Sequence, residues 1–294
     1  MKKWIFVLSA IWVFNVYGDD GWIDCGKDMR NQSLCYYKIE DDGTLYVKAQ
    51  NDSTTTGLWQ NAQSQPTGPW YAQKDEITKI VVDESITQIG LRAFSKLDKV
   101  TEVVIPSSVT SIGAAAFQSC PGFKSINLPS NLKSIDSYAF ALTNLEEITI
   151  PDSVTSIGNR AFAHNLLLSG TVNLENVETV DQYAFSECPK LQSIIIGDKM
   201  KSVGKNAFYG TSAYVYCQEG DGHGGKSCAE LVKESGITGG KLKIYAIENG
   251  KIKIGSKTYN GFEELPQYVL RRIYTIDEAN RVAGEKNRVS IKYR

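Results

Sequence analysis

Two histidines, six cysteines, a pair of adjacent glutamates and one glycine-rich loop are the residues of this 294-residue chain whose types and spacing could support chemistry. A catalytic centre needs a base, a nucleophile or a set of metal ligands converging on one point. His164 falls on a turn and His223 in the glycine loop, and neither has a partner at metal-ligand spacing. Glu146 and Glu147 are neighbours in an extended stretch, where successive side chains point to opposite faces, so they read as solvated surface. Cys120 and Cys188 read as packing residues, because a thiol buried among apolar groups is inert. Residues 220–227, GDGHGGKS, match the phosphate-binding loop pattern letter for letter and lie between a strand-like and a helix-like segment. Three features weigh against nucleotide: the chain opens with an export signal, a Cys217–Cys228 bridge would pin the loop, and no parallel nucleotide-binding sheet precedes it. No catalytic residue, cofactor, nucleotide or metal site is therefore expected.

The export signal is read from Lys2 and Lys3, an apolar stretch from Trp4 to Val16, and the small Gly18. That stretch is shorter than the about 20 apolar residues a membrane-crossing helix needs, and no later one approaches it. Residues 1–18 are thus a signal peptide, and the product is expected to be secreted or associated with the cell surface, with no transmembrane segment. The net charge of −1 conceals an asymmetry: residues 19–240 carry 18 Lys and Arg against 27 Asp and Glu, whereas residues 241–294 carry 12 against 6. In an exported chain cysteines oxidise where geometry allows. Cys25 with Cys35 and Cys217 with Cys228 are close in sequence and are expected as two local disulfides, leaving Cys120 and Cys188 as buried free thiols. Asn31 and Asn51 head glycosylation sequons that matter only in a eukaryote.

These groups are positioned by a repeat. The phrases ITQIGLRAF (86–94), VTSIGAAAF (109–117), LKSIDSYAF (132–140), VTSIGNRAF (154–162), VETVDQYAF (177–185) and MKSVGKNAF (200–208) place Phe94, Phe117, Phe140, Phe162, Phe185 and Phe208 at intervals of 23, 23, 22, 23 and 23 residues. A fixed period of this size is the mark of a solenoid. Between these phrases lies a second, as in LEEITIP (145–151), whose apolar residues alternate with polar ones as in a half-buried strand. Each coil is expected to supply one short strand centred near Ile80, Val103, Ile126, Ile148, Val172 or Ile194, ended by a proline that has no N–H to donate. Gly90, Gly113, Gly158 and Gly204 alternate with Asp136 and Asp181, which predicts a turn in left-handed or Asx geometry. The Phe rings should stack in the interior, with the small Ala beside them letting backbones approach. The segment NLLLSGTVNL (165–174) lacks the proline and is expected to bulge.

The two phrases together resemble the BspA-like, Treponema-type leucine-rich repeat of surface and secreted proteins from host-associated bacteria and anaerobic protists. The resemblance covers roughly residues 77–216. Cys120 and Cys188 match that family's cysteine position, and DGTLYV (42–47) with Pro69 and Trp70 is similar to its usual lead-in. It implies a leucine-rich-repeat solenoid of short parallel strands in coils of about 23 residues, acting in adhesion to host or microbial surfaces.

The remaining segments frame it. Residues 19–76 read as an N-terminal cap covered by Trp59, Trp70 and Tyr71, and 217–240 as a disulfide-closed C-terminal cap. Residues 241–294 read as a small β-rich α+β module: a hairpin about Asn249 and Gly250, a strand through Tyr268 to Tyr274, a helix capped by Thr275 and Glu278 that ends at Gly284, and a last strand at 289–293. Strand alternation exposes Lys79, Val81, Glu102, Val104, Ser125, Asn127, Glu147, Thr149, Thr171, Asn173, Ser193 and Ile195 on one outer strip. Apolar, hydroxyl and acidic groups mix there without strong charge. That suits an extracellular protein or glycan ligand, and not nucleic acid, which needs clustered Lys and Arg. The alternative is a structural spacer of an envelope or extracellular layer, attached by the C-terminal module.

Overall fold

The computed structural model describes residues 16–17, 21–25, 35–49, 57–58, 68–218, 223, 225–237, 242–248, 251–254 and 257–259. The sequons at Asn31 and Asn51, Trp59, and the predicted strand, helix and strand beyond residue 260 lie outside these. Among the described residues the chain is a solenoid whose strands form three sheets.

Residues from every coil stack along one axis because each phrase repeats its hydrogen-bonding groups at the same height. The two-residue strands Gln88–Ile89, Ser111–Ile112, Ser134–Ile135, Ser156–Ile157, Thr179–Val180 and Ser202–Val203 pair in parallel, each with the next, and Gly57–Leu58 pairs with the first, a ladder running the length of the repeat. The position read from sequence as a turn in left-handed or Asx geometry, Gly90, Gly113, Asp136, Gly158, Asp181 and Gly204, follows each of these strands directly. Its glycines do not adopt positive φ. They are small because coils touch there: a Cβ on Gly113 would lie 2.7 Å from the Ile89 carbonyl oxygen, and one on Gly204 2.4 Å from the Gln182 nitrogen.

The left-handed residues are elsewhere, two before and two after each phenylalanine: Arg92 and Lys96, Ala115 and Ser119, Tyr138 and Leu142, Arg160 and His164, Tyr183 and Glu187. Such φ values are strained for residues with a Cβ, by about 1–3 kcal/mol each. The gain is a second ribbon between coils. With alternate N–H groups turned forward, Arg160 donates to Gln182 O (3.0 Å), Phe162 to Ala184 O (2.8 Å) and His164 to Ser186 O (2.9 Å), and the pattern recurs in each coil.

Inside this ribbon the six repeat phenylalanines are fully buried. Their rings stack face to face from Phe94 to Phe185 at 5.0–5.3 Å between centroids, and Phe208 closes the row tilted, 6.2 Å from Phe185. Trp70, on the short 3-10 helix Pro69–Gln73, extends the row 5.3 Å beyond Phe94 and donates its indole N–H to Ala93 O at 3.0 Å. The N-terminal cap therefore enters the ladder as one more aromatic layer.

The third face carries the predicted strands, and here the expectation holds only at the ends. Lys79–Val82 pairs in parallel with Glu102–Val104, and Gly170–Leu174 with Leu191–Ile196. Ile126 and Ile148 point inward and are buried, but their segments are not ladder strands. Inter-coil bonding there shrinks to isolated bonds such as Glu146 N–H to Lys124 O at 2.7 Å. The other two faces already join those coils, so no ladder is required. The coil lacking its proline carries the expected irregularity, a register shift between Gly170 and Thr171, with Gly170 at φ 73°.

Both ends add strands to this face. The antiparallel strands Val16–Tyr17, Trp22–Asp24, Cys35–Ile39 and Thr44–Ala49 lead in, and Thr44–Ala49 pairs in parallel with Lys79–Val82. At the other end Tyr214–Gln218 pairs in parallel with Leu242–Glu248, which pairs antiparallel with Lys251–Ile254, itself antiparallel to Lys257–Tyr259. The first strands after residue 241 thus continue the solenoid sheet, where sequence suggested a module standing alone. A parallel edge strand left open would present unpaired backbone groups.

Candidate functional site

The outer strip is built from every second residue of the third face. Lys79 and Glu102 are register partners, and Lys79 Nζ lies 2.7 Å from Glu102 Oε1, so the two charges satisfy each other. Val81 sits beside Val104, which is 42 % exposed. Ser125, Asn127, Glu147 and Thr149 are exposed, and no hydrogen bond or ion pair engages their side chains among the described residues. Flanking them, Lys124 and Glu146 pair at 2.9 Å. Thr171 and Asn173 are half-buried, and Asn173 Oδ1 accepts the Glu175 N–H at 2.9 Å.

Ser193 and Ile195 depart from the expectation. They hold the outward register, opposite Tyr214 and Tyr216, yet they are 4 % and 0 % exposed. Ile195 is not part of the interior core that Ile194 and Ile196 join. It is buried on the outer side, where the neighbouring strand contributes Tyr216, itself buried. The open part of the strip therefore ends before residue 193.

At its other end the strip is longer than sequence reasoning allowed. Register carries it from Val81 to Tyr46 and across to Lys38, with Trp22, Tyr36 and Lys48 on the same side. Lys48 Nζ lies 3.9 Å from the Trp22 ring and Lys38 Nζ 5.1 Å from the Tyr46 ring, distances at which a cation is held by an aromatic face. The alternation in CYYKI and TLYVKA was the available signal.

The thiols have a structural explanation. Three residues after each Phe stands Leu97, Cys120, Thr143, Asn165, Cys188 or Thr211. All but Leu97 donate to phenylalanine carbonyls: Cys120 to Phe94 O, Cys188 to Phe162 O, Thr143 to Phe140 O, Thr211 to Phe208 O, and Asn165 to both Phe140 O and Phe162 O. Burial pushes both thiols up to about 12, away from nucleophilic use. They belong to one row of donors, the thiols reaching the phenylalanine carbonyl of the preceding coil and Thr143 and Thr211 that of their own.

In the C-terminal cap, Cys217 and Cys228 form a disulfide, as do Cys25 and Cys35 at the other end. His223 is buried against the former, with Nε2 3.9 Å from each sulfur, 2.7 Å from Gln218 O, and Nδ1 2.9 Å from Met200 O. The ligating atoms of Cys217, His223 and Cys228 lie within 4.8 Å of one another, but the sulfurs are bonded to each other. Of the phosphate-loop pattern, Ser227 caps the short helix Cys228–Leu231 in a capping box: Ser227 N–H donates to Glu230 Oε2 at 2.9 Å, and Ser227 Oγ accepts the Glu230 N–H. The hydrogen bonds from Ser227 hold the Glu230 carboxyl below its usual range. The backbone N–H groups of Ser227 and Glu230 are thus engaged by the protein's own side chains.

The repeat is marked by a coil period of 22–23 residues and the Ala-Phe ribbon. The family model for the BspA type leucine rich repeat region matches in six copies over residues 70–173 and 169–217. The chain belongs to this BspA-type family. Membership points to a binding or interaction role, for these repeats are typically non-catalytic. Among solved structures, a leucine-rich repeat protein from Bacteroides ovatus is 24 % identical with TM-score 0.45, over 74 % of this chain and 60 % of its own. The T. pallidum leucine rich repeat protein is 19 % identical with TM-score 0.45, over 74 % of this chain and 99 % of its own. A leucine rich cell surface protein from Faecalibacterium prausnitzii is 17 % identical with TM-score 0.30, over 63 % and 75 %. No curated protein matches significantly. No helix among the described residues is long and apolar enough to cross a membrane.

Proposed function

We propose that this BspA-type protein is a secreted or cell-surface adhesion protein that binds an extracellular protein or glycan through the outer face of its solenoid, without catalysis. The observation that carries the reading is the stretch from Val104 to Thr149, where an exposed apolar side chain is followed by four polar ones that engage no other side chain or backbone group among the described residues. Free donors and acceptors on a face held rigid by two backbone ribbons lose little entropy on binding, which favours many modest contacts. Residues 1–18 act in export, so their removal takes the Val16–Tyr17 strand with it and leaves Trp22–Asp24 as the first strand of the lead-in sheet, and the two disulfides suit the oxidising space outside the cytoplasm.

The test offers the full chain, immobilised, to extracellular-matrix extract, mucin and bacterial wall polysaccharide. It is repeated with the variant combining Val104→Ser, Asn127→Ala and Thr149→Ala. Binding by the native chain that weakens by roughly tenfold in the variant, with thermal unfolding unchanged, is the expected result. Equal binding by both, or none by either, overturns the assignment to this face.

A further inference from the structure

On a different face of the coil, the left-handed position two residues before each phenylalanine forms a row of its own. In its C-terminal half the row reads Tyr138, Arg160, Tyr183, Asn206. The Arg160 guanidinium lies between two tyrosine rings, 4.5 Å from the centroid of Tyr183 and 5.7 Å from that of Tyr138. Arg160 Nη1 donates to the Tyr138 hydroxyl at 2.9 Å and to Asn159 Oδ1 at 3.3 Å. Asn206 Nδ2 donates to the Tyr183 hydroxyl at 3.1 Å.

Two consequences follow from donor and acceptor counting. First, each tyrosine oxygen already accepts a hydrogen bond, so its own proton is left to donate outward. Second, no carboxylate among the described residues comes within 4.0 Å of Arg160, although Asp136 and Asp181 precede the tyrosines by two residues. Its Nε and Nη2 have no acceptor there. By contrast, Lys79, Lys124 and Lys201 each meet an acid on a neighbouring coil. The row therefore presents three successive donors, O–H, guanidinium and O–H, at the coil rise of about 5 Å, half-buried and with the cation oriented by the rings.

We propose that this row is a binding site for an anionic saccharide, with the carboxylate or sulfate of the sugar on the Arg160 fork and ring oxygens on the tyrosine hydroxyls. An acidic peptide fits less well. Same-side groups of an extended chain recur about every 6.6 Å, out of step with the coils, whereas a pyranose carries oxygens around its whole edge. The inference rests on the reading of the solenoid as an extracellular binding surface, and it names a ligand class for a face other than the outer strip.

The full chain and the variants Arg160→Gln, Arg160→Lys and Tyr138→Phe/Tyr183→Phe are titrated calorimetrically with three octasaccharides: one bearing uronate carboxylates, one bearing sulfates, one neutral. Saturable binding of either anionic probe and not the neutral one is expected. It should fall at least about tenfold in Arg160→Gln, and also in Arg160→Lys, because an ammonium lacks the planar fork. Which anionic arm binds decides between carboxylate and sulfate. Removing the two hydroxyls should weaken binding while leaving unfolding unchanged. Equal binding of the neutral probe, or anionic binding unaltered in Arg160→Gln, overturns the site. If no saccharide binds but the Val104 variant loses a captured protein, this inference fails and the proposed function stands; if neither binds, both fail.

Discussion

The thiol of Cys120 donates to the carbonyl oxygen of Phe94, 3.0 Å away in the preceding coil. Cys188 repeats the arrangement with Phe162 at 3.2 Å. Burial pushes both thiols up to about 12 from 9.0, and Tyr37 up to about 12 from 10.0. A group whose folded pKa is raised keeps its proton more tightly in the native state. The stability linked to that proton is full below the unfolded pKa and is lost as pH rises through the folded one. The contribution of the two thiols should therefore be constant up to pH 9 and decline between pH 9 and 12, by on the order of 4 kcal/mol per thiol at the upper limit. Since Thr143 fills the same position, Cys120→Thr/Cys188→Thr should fold and unfold at higher pH than the native chain. Alkaline denaturation followed by circular dichroism reads this, and a midpoint that does not move refutes the assignment. Thiol reagents should label neither cysteine before unfolding.

Phe140 lies between Phe117 and Phe162, 5.3 Å from each and fully buried. Truncation leaves a cavity that stacked coils cannot close, so Phe140→Ala should cost about 3–5 kcal/mol. Phe140→Leu should cost clearly less. Because each coil is supported only by its neighbours, the loss should broaden the urea transition as well as shift it. A sharp transition with unchanged midpoint would contradict the ladder.

The phenylalanine row was legible in sequence because one bulky residue at a fixed period has only one place to go in a stack. The disulfide partners were legible from spacing. The left-handed backbone was not: Arg160, Tyr138 and Lys96 carry no preference for positive φ, and only the inter-coil ribbon imposes it. Nor was the donor role shared by Cys120, Thr143 and Asn165, whose side chains look unrelated until their common partner, a phenylalanine carbonyl, is in view. The strand face was half legible, since alternation assigns a side to Ile126 and Ile195 but says neither whether a ladder forms nor whether the outer side is covered.

The Cys217–Cys228 bond closes a loop over a sequence separation of 11, with His223 buried inside it. In the chain-entropy account such a loop contributes about 3 kcal/mol. Reduction, or Cys217→Ser/Cys228→Ser, should lower the thermal midpoint and direct limited proteolysis to residues 219–237. Cleavage within the repeats instead would mean that the cap is not what the bond protects.

Ser227 and Glu230 satisfy each other's backbone N–H groups at the start of the helix Cys228–Leu231. Titration with ATP should give no saturable binding, and Lys226→Ala should change nothing. Ser227→Ala should cost about 1 kcal/mol as a lost cap. Nucleotide affinity that vanishes with Lys226 would reverse the reading of this loop.

Val104 and Ile195 occupy the same outward register on the third face, one 42 % exposed and the other fully buried. Exchange to serine separates what alternation treats alike. Val104→Ser removes little apolar surface from contact, and its effect on stability should stay within about 0.5 kcal/mol. Ile195→Ser removes a buried aliphatic side chain and places a hydroxyl beside Tyr216 and Asn173, so it should cost about 2–4 kcal/mol. Chemical denaturation of the two variants measures both. If they behave alike, the outer side is open at Ile195 and the binding strip extends to residue 195. If only Ile195→Ser destabilises, a ligand on this face is confined to the coils before Ser193, and a binding loss on changing Ile195 reports unfolding and not contact.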